Sequence, residues 1–111
     1  MLAQIYSLKG DEIINEILKK GDKKQSDNFG VFYIKKKNQD LPKFAFVIST
    51  KISKLAVNRN RVKRAMSESI RRNMAKVPKG VDFVFLAKKE IVNKSTDEIM
   101  REVQNFISAF K

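Results

Sequence analysis

Apolar residues recur along this chain with two different periods. Between Asp11 and Lys20, the residues Ile13, Ile14, Ile17 and Leu18 keep the three-to-four-residue spacing of one helix face, and Gly21 stands where a helix stop is expected. From Phe29 to Lys35 alternation takes over, with Phe29, Val31 and Tyr33 on one side of a strand and Phe32 and Ile34 on the other. Polar residues 36–40 read as a turn, and Pro42 lies near the start of the next strand. Residues 44–48 form a nearly continuous apolar run, which predicts a strand buried on both faces. Residues 82–87 are a second run of that kind. Residues 96–110 return to the helical period, with Ile99, Met100, Val103, Phe106, Ile107 and Phe110 making a broad apolar stripe.

Another helix lies between the two apolar runs. Val62, Ala65, Met66, Ile70 and Met74 gather on one side at about 3.6 residues per turn. Arg61, Arg64, Arg71 and Arg72 project from the opposite side, with Asn60 beside them and Asn58 as the expected N-cap. No Gly/Ser-rich or Pro-rich linker and no repeat interrupts the sequence, so residues 1–111 are expected to form a single domain.

Composition changes this picture in two respects. With 42% hydrophobic residues, eight Phe and two Tyr, the chain has material for a core, which argues against intrinsic disorder despite the heavy charge. It has no Cys and no His, so disulfides, thiol chemistry and the commonest general base are excluded. No apolar run approaches the roughly 20 residues needed to cross a bilayer, and residues 1–8 lack the layout of a secretory signal. A cytoplasmic protein with no membrane association is the expectation.

The second respect is charge. Twenty-four basic residues face twelve acidic ones, for a net charge of +12. Residues 51–76 hold nine of the bases (Lys51, Lys54, Arg59, Arg61, Lys63, Arg64, Arg71, Arg72, Lys76) and one acid, Glu68, so eight of the twelve net charges sit there. Like charges at helical spacing repel one another, and a lone acid cannot neutralise them. A solvated face is the ordinary reading of a Lys-rich helix; this one, rich in Arg and of one sign, suits a polyanion better. Guanidinium forks match pairs of phosphate oxygens. Nucleic acid is the partner that follows, with an anionic lipid surface as the weaker alternative.

Read as letters, residues 51–72 are KISKLAVNRNRVKRAMSESIRR. This segment resembles the signature of the bacterial ribonuclease P protein: a turn running through Ala56-Val57 into Arg59-Asn60-Arg61, any residue, then Lys63-Arg64, with Arg71 at the place of a further Arg along the helix. The flanking elements are similar in place and length. Departures are an extra residue, Leu55, between Lys54 and Ala56; Ser53 at a usual Gly; Ser67 at a common Arg; Ile14 and Leu18 where aromatics are usual on the first helix; and Lys88 in place of a frequent Arg.

The resemblance implies a compact two-layer α/β sandwich of order α-β-β-β-α-β-α with a left-handed βαβ crossover, including a short first strand near residues 23–26. It implies that Lys51, Lys54, Arg59, Asn60, Arg61, Lys63, Arg64 and Arg71 bind the catalytic ribonuclease P RNA. It also implies a cleft between the first helix and the sheet for the single-stranded 5′ leader of precursor transfer RNA, lined by alignment with Ile14, Leu18, Val31 and Tyr33, the last stacking on a leader base. Lys35, Lys36, Lys37 and Lys43 read as a solvated hairpin tip more readily than as part of that track. Hydrolysis would belong to the RNA subunit and its Mg2+, with no cofactor held by the protein, which would act as a monomer within the ribonucleoprotein. In keeping with that division, Asp11, Glu12 and Glu16 read as solvated acids at a helix N-terminus. The main rival is a non-enzymatic RNA-binding module, such as a ribosomal or RNA-chaperone protein.

Overall fold

The computed structural model describes residues 3–110. Its elements run α1 (Asp11–Lys20), β1 (Asp22–Gln25), β2 (Phe29–Lys35), β3 (Lys43–Val47), α2 (Ala56–Arg72), β4 (Val81–Ala87) and α3 (Thr96–Ala109), the order expected from the resemblance. Three short 3-10 helices fill connections: Gln4–Tyr6, Met74–Lys76 and Lys89–Asn93. Met74 therefore lies beyond α2, which ends at Arg72.

The four strands form one sheet of order β1-β2-β4-β3. β1 pairs antiparallel with β2, β2 antiparallel with β4, and β3 parallel with β4, so α2 is the crossover between two parallel neighbours. This order gives the two apolar runs, which lie side by side, different environments. β4 is interior, and Val81 through Phe85 are all buried. β3 is an edge: Phe44 and Ala45 are buried, but Phe46 and Val47 are only half-buried. The expectation of burial on both faces thus holds for β4 as far as Phe85, and fails at Leu86, which is exposed, and in the second half of β3, which has a neighbour on one side alone.

Strand alternation divides the interior. Phe29, Val31, Phe44, Phe83 and Phe85 point to the face covered by α2 and α3, where they meet Val62, Met66, Ile70, Ile99, Val103 and Ile107. The rings interlock, with Phe44 stacked on Phe83 at 5.2 Å and Phe29 tilted on Phe85 at 5.5 Å. Ala45 and Val84 point the other way, to Leu8 and Ile17, with Ile14, Leu18, Phe32, Ile34 and Val47 half-buried around them. The sheet with α2 and α3 makes the expected two layers, and α1 adds a partial third.

Two glycines fix the ends of elements. Gly21 stops α1 by donating its N–H to the Ile17 carbonyl at 2.8 Å. A Cβ there would sit 2.5 Å from that oxygen and 2.8 Å from the Tyr33 carbonyl, so only Gly lets α1 seat against β2. Gly80, at φ +76°, turns the chain into β4 where a Cβ would lie 2.7 Å from the Asn38 carbonyl oxygen. α3 begins with Ser95, whose Oγ accepts the Glu98 amide at 3.1 Å, as an N-cap should.

Candidate nucleic-acid interface

α2 is amphipathic as its sequence requires. Val62, Ala65, Met66 and Ile70 are buried against the aromatic core, together with Ser69, whose hydroxyl donates to the Met100 carbonyl at 2.7 Å. The helix begins at Ala56, three residues before the start an Asn58 cap would give, and Leu55 occupies the cap without a side-chain bond. Ser53 organises the entry instead. Its Oγ accepts from the Leu55 amide and from Asn58 Nδ2, both at 3.2 Å, and its carbonyl accepts from Arg59 Nη1 at 2.7 Å.

The basic residues on this segment do not form one uniform row of forks. Arg61 is half-buried and donates Nη1 to the Lys94 carbonyl and Nη2 to the Val92 carbonyl, each at 2.9 Å. It lies on the side opposite the apolar stripe, as expected, but there it clamps α2 to the connection before α3. Arg71 forms a two-pronged pair with Glu68, through Nε to Oε1 and Nη2 to Oε2 at 3.0 Å. That hydrogen bond, with the charges of Arg71 and Arg72, holds the Glu68 carboxyl down at about 2. Arg72 lies 3.8 Å from the same carboxylate. Lys51, Lys54, Asn60, Lys63 and Arg64 are exposed, and their side chains bond to no other described residue.

The four residues expected to line a cleft do not meet. Ile14 and Leu18 pack on the α1 face of the sheet. Val31 is fully buried on the opposite face, and Tyr33 points the same way as Val31, its ring 4.8 Å from Phe110 and 6.4 Å from Phe83. A strand residue and its next-but-one neighbour share a face, and the α3 stripe claims the face carrying Phe29, Val31 and Tyr33. The sheet residues that do face Ile14 and Leu18 are Phe32 and Ile34. Phe32 is half-buried, and Lys23, its register partner on β1, holds its ammonium 5.3 Å from the ring centre. The alternation in the sequence had already put Phe32 with Ile34; what it could not say was which face α1 covers.

Other charged groups near these surfaces have structural partners or none. Lys36 Nζ lies 3.1 Å from buried Asp82 Oδ1 and donates to the Leu41 carbonyl at 3.2 Å, while Lys35, Lys37 and Lys43 are exposed. Asp11, Glu12 and Glu16 are exposed on α1. Among the described residues no group of three or more carboxylates comes together as a metal site would require.

Comparison with known proteins turns this arrangement into a family. The family model described as Ribonuclease P matches residues 2–111. A ribonuclease P protein component from Clostridium kluyveri is 35% identical over 105 residues, covering 93% of this chain and 92% of that protein. One from Pelotomaculum thermopropionicum is 30% identical over 96 residues, covering 86% and 84%. The chain belongs to the ribonuclease P protein family. The solved ribonuclease P protein of Thermotoga maritima superposes with a TM-score of 0.82 at 25% identity, covering 95% of this chain and 97% of that one. That of Staphylococcus aureus, at 24% identity and TM-score 0.83, shows the same fold over 90% of each chain. Membership places the chain in transfer-RNA processing, and no helix among its described residues is long and apolar enough to cross a membrane.

Several departures from the ribonuclease P pattern have structural accounts. Ser53, in place of a usual Gly, supplies the oxygens that order the entry to α2. Ser67, at a common Arg position, is buried and donates to the Arg64 carbonyl at 3.2 Å. Lys88, in place of a frequent Arg, donates to the Ser26 carbonyl at 2.7 Å. It closes the β1–β2 turn, which Glu102 of α3 also holds through the Asn28 amide at 2.9 Å and Asn28 Nδ2 at 2.7 Å. Nothing in the structure explains Leu55, which is 62% exposed.

Proposed function

We propose that this chain is the protein subunit of ribonuclease P, binding the catalytic RNA through α2 and the turn before it and the 5′ leader of precursor tRNA on the α1 face of the sheet. The observation that carries the reading is the set of exposed cations Lys51, Lys54, Lys63 and Arg64, unbonded to other described residues, on the segment that bears the family motif. Each phosphate these side chains neutralise releases condensed counterions, a gain that falls steeply with salt. Arg59 and Arg61 act mainly by fixing the shape of that surface, because their guanidinium donors already hold Ser53, Val92 and Lys94 carbonyls.

The leader reading moves from Tyr33 to Phe32. A half-buried ring with an ammonium beside it offers a base a stacking platform and its phosphate a charge, a contact of about 1–3 kcal/mol that tolerates any sequence. Ile14, Leu18 and Ile34 form the apolar border of that platform. In this scheme the protein contributes charge and positioning as a cytoplasmic monomer within the ribonucleoprotein. Phosphodiester hydrolysis, which frees the mature 5′ end, is the work of the RNA subunit with its Mg2+.

Reconstitution tests the proposal. Adding the purified chain to its cognate ribonuclease P RNA at low magnesium should accelerate leader removal and bind that RNA in preference to ribosomal RNA. Equal affinity for both RNAs with no acceleration would identify a general RNA-binding module instead.

A further inference from the structure

Between α2 and the first turn of α3 runs a groove of about 870 Å³, a size that accommodates a small planar ligand. Its walls are chemically mixed. Ala65 and Met100 give an apolar floor, and Val57 adds an apolar edge that is left 70% exposed on a helix whose other exposed positions are mostly polar. Arg64 and Arg72 stand at the rim. Arg61, clamped to the Val92 and Lys94 carbonyls, makes one wall rigid. Asp97, exposed at the start of α3, also lines the groove and pairs with no described cation.

That carboxylate decides what fits. A phosphate inside the groove would meet the Asp97 carboxylate, whereas Glu68 is already held by Arg71 and Arg72, so phosphates belong at the Arg64 and Arg72 rim. An apolar floor beneath acceptor-only oxygens suits a neutral, flat group carrying N–H donors. We propose that the α2–α3 groove receives one unpaired nucleobase of the partner RNA, of the kind that bears an exocyclic amino group. The base would lie on Val57 and Met100, with a guanidinium of the rim over its face and its amino hydrogens toward Asp97. Adenine, cytosine and guanine have such a group; uracil has a single ring N–H. The inference rests on the reading of α2 as the RNA-binding helix and adds to phosphate contact a base-reading one.

Asp97→Asn gives opposite signs for the alternatives. Binding of the full chain to its cognate ribonuclease P RNA should weaken about tenfold, as for loss of a side-chain contact to a base edge, with the salt slope unchanged. Tighter binding, the result expected if the carboxylate only repels phosphate, would overturn the proposal, as would no change. Val57→Ala, which keeps the helix, should weaken binding severalfold, also at constant slope; full affinity would count against the groove. Lys63→Ala separates the two levels of the argument. It should lower the salt slope by about one phosphate's worth, and if it does while Asp97→Asn changes nothing, the groove proposal fails and the function stands. If Lys63→Ala also leaves affinity and slope untouched, the reading of α2 as an RNA-binding helix fails with it. A benzophenone side chain at position 57 should cross-link to an unpaired A, C or G, and cross-linking confined to paired helices would contradict the assignment.

Discussion

The two faces of the sheet are built from the same strands and differ in how completely they are covered. On the α2–α3 side, Phe29, Phe44, Phe83 and Phe85 are sealed beneath two helices. On the α1 side one ten-residue helix covers Ala45 and Val84 but leaves Phe32, Ile34 and Val47 half-open, with Leu86 exposed beyond them. The first face holds the fold together. The second keeps apolar and aromatic surface within reach of a ligand, so a substitution's face should determine whether it changes stability or binding.

The largest effect is expected on the sealed face. Phe85→Ala should cost about 3–5 kcal/mol in urea unfolding, whereas Phe32→Ala should cost a small fraction of that and weaken leader-containing substrate. Equal destabilisation would erase the distinction between the faces. Tyr33→Ala belongs with Phe85: loss of its packing on Phe83 and Phe110 should cost about 2 kcal/mol, with leader affinity unchanged in molecules that remain folded. A selective loss of leader binding would return Tyr33 to the cleft.

A similar comparison divides the arginines of α2. Arg61→Ala should destabilise by about 1–3 kcal/mol, because two carbonyls lose a charged donor. Arg64→Ala should leave stability within about 0.5 kcal/mol and instead lower the slope of log affinity against log salt by about 0.7–0.9. Matching effects from both would show that the intramolecular bonds of Arg61 do not set its role.

The smallest effect concerns pH. The Glu68 carboxyl is lowered from its ordinary 4.5 to about 2, chiefly through its hydrogen bond to Arg71. A depressed carboxyl pKa stabilises the folded state above the unfolded value, and that contribution is lost as pH falls from near 4.5 toward 2. Carboxyl-carbon NMR should place the Glu68 midpoint near 2 and Arg71→Ala should raise it; a midpoint already in the ordinary range would mean that the pair does not persist in solution.

How much of this the sequence carried depended on whether each feature is local. α1, β2 and α3 were legible because their periods are long and unbroken. β1, with the polar sequence Asp22-Lys23-Lys24-Gln25, has no apolar period and owes its place to pairing with β2. The run at 44–48 gave a strand but not its position at the edge, which depends on pairing order. The cationic helix was likewise plain from spacing and charge. Which of its cations remain available was not, because Arg61 finds its partners at Val92 and Lys94, 31 and 33 residues away. The leader face failed at the same level: the alternation of β2 was right, but the side on which α1 packs is a tertiary fact.

The most direct test of the two-faced account is the affinity of reconstituted holoenzyme for precursor tRNA with and without its leader, measured for the unaltered chain and for Phe32→Ala. The variant should assemble with the RNA subunit normally and lose much of the affinity that the leader adds. A leader contribution that survives intact, or one that disappears only together with assembly, would contradict the assignment of the open face to the leader.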